Sequence, residues 1–210
     1  MPAAPTTLAP SAVVRATDDP TAAALIAAAV ETMAAKGYHG TSVRDIASAA
    51  GVSVGSLYNY FGSKHDLLAL ILDRGLDDLV TATEDALLRA GTDPADRLRA
   101  IVGVHVGRHT AAPRESLLGN SELRSLTPHA RAVVVTKRDV QQRMFDRVVA
   151  DGARRGAFTT PTPVDAARFV VSACTAVATW YRADGPLGAD EVTARYQEIA
   201  LAAVGYLGAR

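Results

Sequence analysis

At Asp93-Pro94, Thr127-Pro128 and Thr162-Pro163 the chain places a capping residue directly before a proline. An oxygen-bearing side chain at an N-cap accepts N–H bonds that a first helical turn otherwise leaves unmade. A proline just after it has no N–H to lose and a φ already suited to the helix. Each pair therefore opens a helix. The segments that follow predict helices from Pro94 to about residue 111, from Pro128 to near Gly152 or Gly156, and from Pro163 to Asp184-Gly185. Hydrophobic residues make up 49% of the chain, enough to fill a core, yet aromatics only 5%. Ala, Leu, Arg and Glu favour helix, and β-branched residues seldom alternate with polar ones as a half-buried strand requires. The chain reads as all-α, with about nine helices and no strand.

Further helices are expected over residues 21–36, stopped by Gly37 as a natural C′ residue, and over 43–50, capped by Thr41 or Ser42. Others follow over 54–61, capped by Ser53, and from Lys64 to about residue 90. A shorter helical segment lies around 114–126. A last helix starts at Ala189 or Asp190 and reaches Leu207. Residues 1–20, rich in Ala, Pro and Thr with Arg15 as the one cation, form a flexible arm; an arm that dips Arg15 into a minor groove is the less favoured reading. The domain reading is then 1–20 arm, 21–68 a three-helix helix-turn-helix, and 69–210 a larger helical domain.

Several function classes are excluded or disfavoured. No Gly-rich phosphate loop, Gly-x-Ser-x-Gly elbow or Cys-His pair in context is present, so no enzyme is expected. His105 and His109 are spaced for a metal, but no third ligand stands near in sequence, so neither metal nor cofactor is expected. No apolar run approaches the ~20 residues of a membrane helix. Residues 1–20 lack the layout of a signal peptide, and one cysteine, Cys174, fits a reducing compartment. A soluble, cytoplasmic protein is expected. Net charge is zero, with 22 basic and 22 acidic residues, which gives no bulk attraction to nucleic acid.

The informative stretch is Gly40-Thr-Ser-Val-Arg-Asp-Ile-Ala-Ser-Ala-Ala-Gly-Val-Ser-Val-Gly-Ser-Leu-Tyr-Asn-Tyr-Phe-Gly-Ser-Lys64. Two short helices flank a tight Gly51-Val52-Ser53 turn. Val43, Ile46 and Ala47 on the first and Leu57 and Phe61 on the second can close a small core. That leaves Val54, Gly55, Ser56, Tyr58, Asn59 and Tyr60 for solvent or DNA. A groove-reading helix wants small residues at its start and hydrogen-bonding groups next. Ser56 and Asn59 supply those, and the two tyrosines can reach phosphates. Thr41, Arg44 and Lys64 stand at helix starts, where phosphates are favoured.

The run from about residue 22 to 70 closely resembles the N-terminal domain of the TetR family of regulators. It carries Gly37-Tyr38, Gly40-Thr41-Ser42, Ile46-Ala47, Ala50-Gly51-Val52-Ser53, Gly55, Leu57-Tyr58, Tyr60-Phe61 and Ser63-Lys64. The resemblance implies a double-stranded, pseudopalindromic operator as partner. Thr41, Arg44, Ser53, Val54, Gly55, Ser56, Tyr58, Asn59, Tyr60 and Lys64 are the expected contacts. Val54 and Asn59 depart from the commonest pattern, which leaves the operator sequence open.

The same resemblance implies a C-terminal domain that binds a small molecule and forms a homodimer. Glu122-Leu-Arg-Ser-Leu126, Gly156-Ala-Phe158 and Trp180-Tyr-Arg-Ala-Asp-Gly185 are similar to regulators of fatty-acid and steroid breakdown, which respond to acyl-CoA. Ligand residues would be His105, His109, Arg124, Arg143, Arg147 and Trp180. The dimer face would draw on Val170, Cys174, Val177, Tyr181, Tyr196, Ile199, Ala203 and Leu207. The expected function is a repressor released from its operator by such an effector. Activation, constitutive binding and, more remotely, acyl-thioester chemistry stay open.

Overall fold

The structure, a computed structural model, describes residues 13–208. These hold nine α-helices, a short 3₁₀ turn and no strand beyond one bridge between Phe158 and Tyr206. They fold as two units. Residues 13–78 and 114–136 make one, and 79–113 and 137–208 the other.

In the first unit, α1 (Pro20–Gly40) starts on Asp19, whose carboxylate accepts from Thr21 N at 2.8 Å and Ala22 N at 3.4 Å. Asp19-Pro20 is thus a fourth cap-and-proline start, one residue earlier than the periodicity suggested. The helix does not stop at Gly37; it kinks there (φ 73°, ψ 162°) and runs on to Gly40. Part of the expected flexible arm is packed. Val13 is buried in the core of this unit, and its carbonyl accepts from Arg74 Nη1 at 2.8 Å. Residues 1–12 of that arm lie outside the described residues.

Ser42 caps α2 (Val43–Ala49) through a reciprocal box. Its hydroxyl accepts from Asp45 N at 3.1 Å, and the Asp45 carboxylate accepts from Ser42 N at 2.8 Å. Gly51, at φ 69°, makes the turn that a residue with a Cβ adopts only under strain. Ser53 then caps α3 (Val54–Tyr60), accepting from Ser56 N at 3.0 Å. α4 (Lys64–Arg89) follows and continues into the second unit.

Buried Leu25, Ile26 and Met33 of α1 meet Ile46 of α2, Leu57 of α3 and Leu67, Leu68 and Ile71 of α4. Each such side chain contributes about 1.5–3 kcal/mol by leaving water, so α3 is held by its single buried Leu57 and by its cap. α6 (Pro113–Ser121) and the 3₁₀ turn Glu122–Ser125 join this unit. Glu122 accepts from Tyr38 N at 3.4 Å, Arg114 pairs with Glu31 at 2.9 Å, and Thr127 N donates to His65 Nε2 at 2.8 Å.

The second unit is built on α5 (Pro94–Ala111), capped by Asp93, which packs on α8 (Pro163–Trp180) and α9 (Ala189–Ala203). Phe145, Val148 and Val149 of α7 (Pro128–Arg154) complete the core. Thr162 occupies the N-cap of α8 without the expected side-chain bond, so Pro163 alone marks that start. α9 ends at Ala203, short of Leu207. The chain turns at Gly205, and the Thr159 and Thr160 amides each donate to Val204 O at 3.1 Å.

Candidate nucleic-acid interface and a buried polar cluster

With Leu57 turned into the core, the rest of α3 faces out. Tyr58 is 54% and Tyr60 42% exposed; Gly55 and Asn59 are exposed too, while Val54 and Ser56 are half-buried. The Ser53 and Ser56 hydroxyls lie 2.9 Å apart and engage each other. Arg44, on α2, is exposed and makes no ion pair with a described residue. An apolar start, a carboxamide, two phenols and one cation therefore share the module's open side, which suits a groove edge and its flanking phosphates.

Two expected contacts are placed differently. Thr41 is 1% exposed, and its hydroxyl donates to Gly37 O at 2.8 Å and Thr32 O at 3.1 Å. It closes the kinked end of α1, because a buried hydroxyl needs an acceptor and the kink leaves carbonyls unpaired. Lys64 Nζ donates to Tyr38 O at 2.8 Å and Thr41 O at 2.6 Å, and stands 4.1 Å from the Tyr38 ring centre. Here it binds the end of α1 to the start of α4. Its position at a helix start fitted a phosphate from sequence, but the carbonyls it meets come from residues 23 and more away.

The second unit encloses a polar cluster drawn from four helices. Thr83 of α4 donates to Leu79 O at 2.7 Å and accepts from Gln141 Nε2 of α7 at 3.0 Å. The same Gln141 nitrogen faces His105 Nδ1 at 3.5 Å, and His105 Nε2 meets Thr175 Oγ1 of α8 at 2.9 Å. His109 Nδ1 donates to His105 O at 2.7 Å, and the two rings stack 4.6 Å apart. Since Gln141 presents a donor, His105 carries its proton on Nε2 and gives it to Thr175. Burial pushes the His105 pKa well below the ordinary value, with His109 adding to it. Burial likewise drives His109 down to about 4, against the opposing pull of the His105 carbonyl. Both rings are neutral near pH 7. Gln141 Oε1 is buried with no hydrogen-bond partner among the described residues.

Residues 25–71 match the family described as bacterial regulatory proteins, tetR family, and residues 91–204 match the tetracyclin repressor-like C-terminal domain. The HTH-type transcriptional repressor KstR2 of Mycobacterium tuberculosis is 30% identical over 182 residues, covering 86% of this chain and 90% of that protein. The chain belongs to the TetR family of transcriptional regulators. A tetR-family regulatory protein from Rhodococcus RHA1 superposes with a TM-score of 0.84 at 31% identity, covering 91% of this chain and all of that one. The ketosteroid transcriptional regulator KstR2 of M. tuberculosis does so at 0.83 and 26% identity, covering 91% and 98%.

In this TetR-family chain the other expected residues are dispersed. His105 and His109 come together, but Arg124 lies exposed on the 3₁₀ turn, and Arg143 and Arg147 lie on the exposed side of α7. Trp180 is 45% exposed and stacks on Tyr196. Val170, Cys174 and Val177 are buried in the core of their own unit, so they have no surface left for a partner. The apolar spacing on α8 marked burial and could not tell an internal face from an interface. Burial pushes the Cys174 thiol up to about 12, which removes its nucleophilic form. Tyr181, Tyr196 and Ala203 are half-buried; Ile199 and Leu207 are exposed. Thr83, Gln141 and Thr175 were missed. Gln141 had a signal, as the one amide in the helical stripe Val134, Gln141, Phe145, Val148.

Proposed function

We propose that this regulator is a homodimeric repressor that binds a pseudopalindromic operator through α3 and leaves it when a small molecule enters the second unit. The observation that carries the DNA reading is the outward face of α3. Tyr58, Asn59 and Tyr60 all stand exposed outside the core, so two phenols and a carboxamide are presented where base edges and phosphates can meet them. Arg44, Ser53, Val54, Gly55 and Ser56 complete the proposed contact set. Lys64 and Thr41 act by fixing the helix ends around it. Dimerisation is supported by the outer faces of α8 and α9, where Phe169 is 59% and Ile199 50% exposed. Two such pairs of helices can form an isologous four-helix bundle and set two copies of α3 about 34–36 Å apart.

The effector is read, in this proposal, by the polar cluster of Thr83, His105, His109, Gln141 and Thr175. An acceptor buried without a partner costs about 1–3 kcal/mol, which a ligand donor removes on binding. The class proposed is an acyl-CoA thioester. The likeness of the C-terminal half to regulators of fatty-acid and steroid breakdown supports it. A ligand that binds the two states unequally is what shifts the operator equilibrium.

Fluorescence anisotropy tests both parts, with the full chain and labelled duplexes from upstream of its own gene. Binding to one duplex that resists unlabelled random DNA is expected at low salt, with release on adding acyl-CoA but not free coenzyme A. If no upstream duplex binds, the operator reading is wrong. If binding persists unchanged across short, long and steroid-derived acyl-CoA thioesters, the effector reading is wrong.

A further inference from the structure

The DNA-facing module is short of available cations. Between residues 21 and 70 the only Lys and Arg are Lys36, Arg44 and Lys64. Lys36 is paired with Asp45 at 3.0 Å, and Lys64 is bonded to two α1 carbonyls. Arg44 alone is left to meet a phosphate. A further cation stands just upstream, on a turn that is firmly built.

Asp18 makes that turn. Its carboxylate accepts from Arg74 Nη1 and Nη2 at 2.7 and 2.9 Å and from Arg15 N at 2.8 Å, while Asp18 N donates to Arg15 O at 3.0 Å. The Arg74–Asp18 pair is largely shielded, at 16% and 11% side-chain exposure, so its two charges cancel locally. Val13 anchors the other end of the turn in the core. The next residue, Asp19, caps α1, a helix that packs on both α2 and α3. The Asp19 carboxyl is held below its usual range by the nearby Tyr60 hydroxyl of α3 and by the Thr21 and Ala22 amides. The turn thus leads straight into α1, which packs on α3. Arg15 has its backbone fixed and its side chain exposed, with no ion pair to a described residue.

We propose that Arg15 is a DNA contact outside the helix-turn-helix, a guanidinium held ready for a phosphate just beyond the stretch that α3 reads. This rests on the DNA-binding reading above. A cation on a packed turn gives up only side-chain freedom on binding, whereas one on a loose arm must also have its backbone ordered. Arg15 doubles the unpaired cations that each module offers, from Arg44 alone to Arg44 and Arg15.

The test compares the full-length chain with Arg15→Ala and Arg15→Lys on the same upstream duplex, by anisotropy over a potassium chloride series. One phosphate contact adds about 0.9 to the slope of log K against log salt. Arg15→Ala is expected to flatten the slope by that amount per bound subunit, with thermal melting unchanged, and Arg15→Lys to keep the wild-type slope. Hydroxyl-radical footprinting of the Ala variant should lose protection only at the outer edges of the site. An unchanged slope and footprint in Arg15→Ala overturns the proposal while leaving operator binding intact. Failure of the wild-type chain to bind any duplex removes the DNA reading itself, and this contact with it.

Discussion

Two imidazoles stacked face to face inside a protein stay there only while both are neutral, since a proton on either brings an unpaired charge into a low-dielectric site. For His109 the folded value of about 4 lies under the ordinary 6.5. Between those pH values the unfolded chain takes up a proton that the folded chain refuses. Stability is therefore full above pH 6.5 and falls as pH drops toward 4, by about 1.4 kcal/mol per pH unit for each such histidine. His105 is shifted in the same direction and adds to the loss. Urea midpoints of wild type and His109→Gln, taken at pH 7 and pH 5, check this. The wild type should lose more on acidification, and equal losses would mean that His109 is not the group responsible. Lys64 makes a related point at the same scale. The sequence showed a cation at a helix start, but only the folded chain brings it to the carbonyls of residues 38 and 41.

At the scale of elements, the tightest fit lies where α7 turns back into the core. A Cβ on Gly152 would sit 2.1 Å from Phe158 Cδ2, and Phe158 is 3% exposed. The Phe158 and Ala157 amides both donate to Gly152 O, at 3.2 and 2.9 Å, so the ring cannot retreat without opening that turn. Gly152→Ala is expected to lower stability by about 1–3 kcal/mol, read as a drop in melting temperature. Combining it with Phe158→Ala should cost less than the sum of the two, because the clash disappears with the ring. Additive losses would show that the contact is not the cause. Helix starts were legible in the sequence because a cap is local: Asp93, Ser42 and Ser53 bond amides two or three residues ahead. Helix ends were less so. α9 stops at Ala203 because Gly205, at φ 70°, reverses the chain while Tyr206 N donates back to Leu201 O at 2.9 Å, a glycine stop masked by the apolar spacing that runs on to Leu207. Of the two candidate regions, the α3 face could be read as an ordered run of residues, whereas the polar cluster gathers side chains from positions 83 to 175.

On the scale of the whole molecule, a chain with 22 basic and 22 acidic residues has no general field to draw it to DNA. Each module offers a small set of charges, so one module on one half-site binds weakly. In the proposed dimer, strong operator binding comes from two modules joined at fixed spacing, where the second contact forms at the high effective concentration set by the first. The surface proposed to join them is the exposed apolar side of α8 and α9, with Val164, Phe169 and Ile199 outward. A glutamate at Phe169 or Ile199 would carry a charge into that dry contact, and in the dimer each substitution occurs twice. Phe169→Glu combined with Ile199→Glu is expected to sediment as a monomer with unchanged helix content, since neither side chain supports its own core. Its operator affinity should fall by about 10²–10⁴-fold. A variant that stays dimeric would place the interface elsewhere, and a monomer that binds as tightly as wild type would show that one module suffices. The first result would move the surface; the second would remove the physical need for a dimer at all.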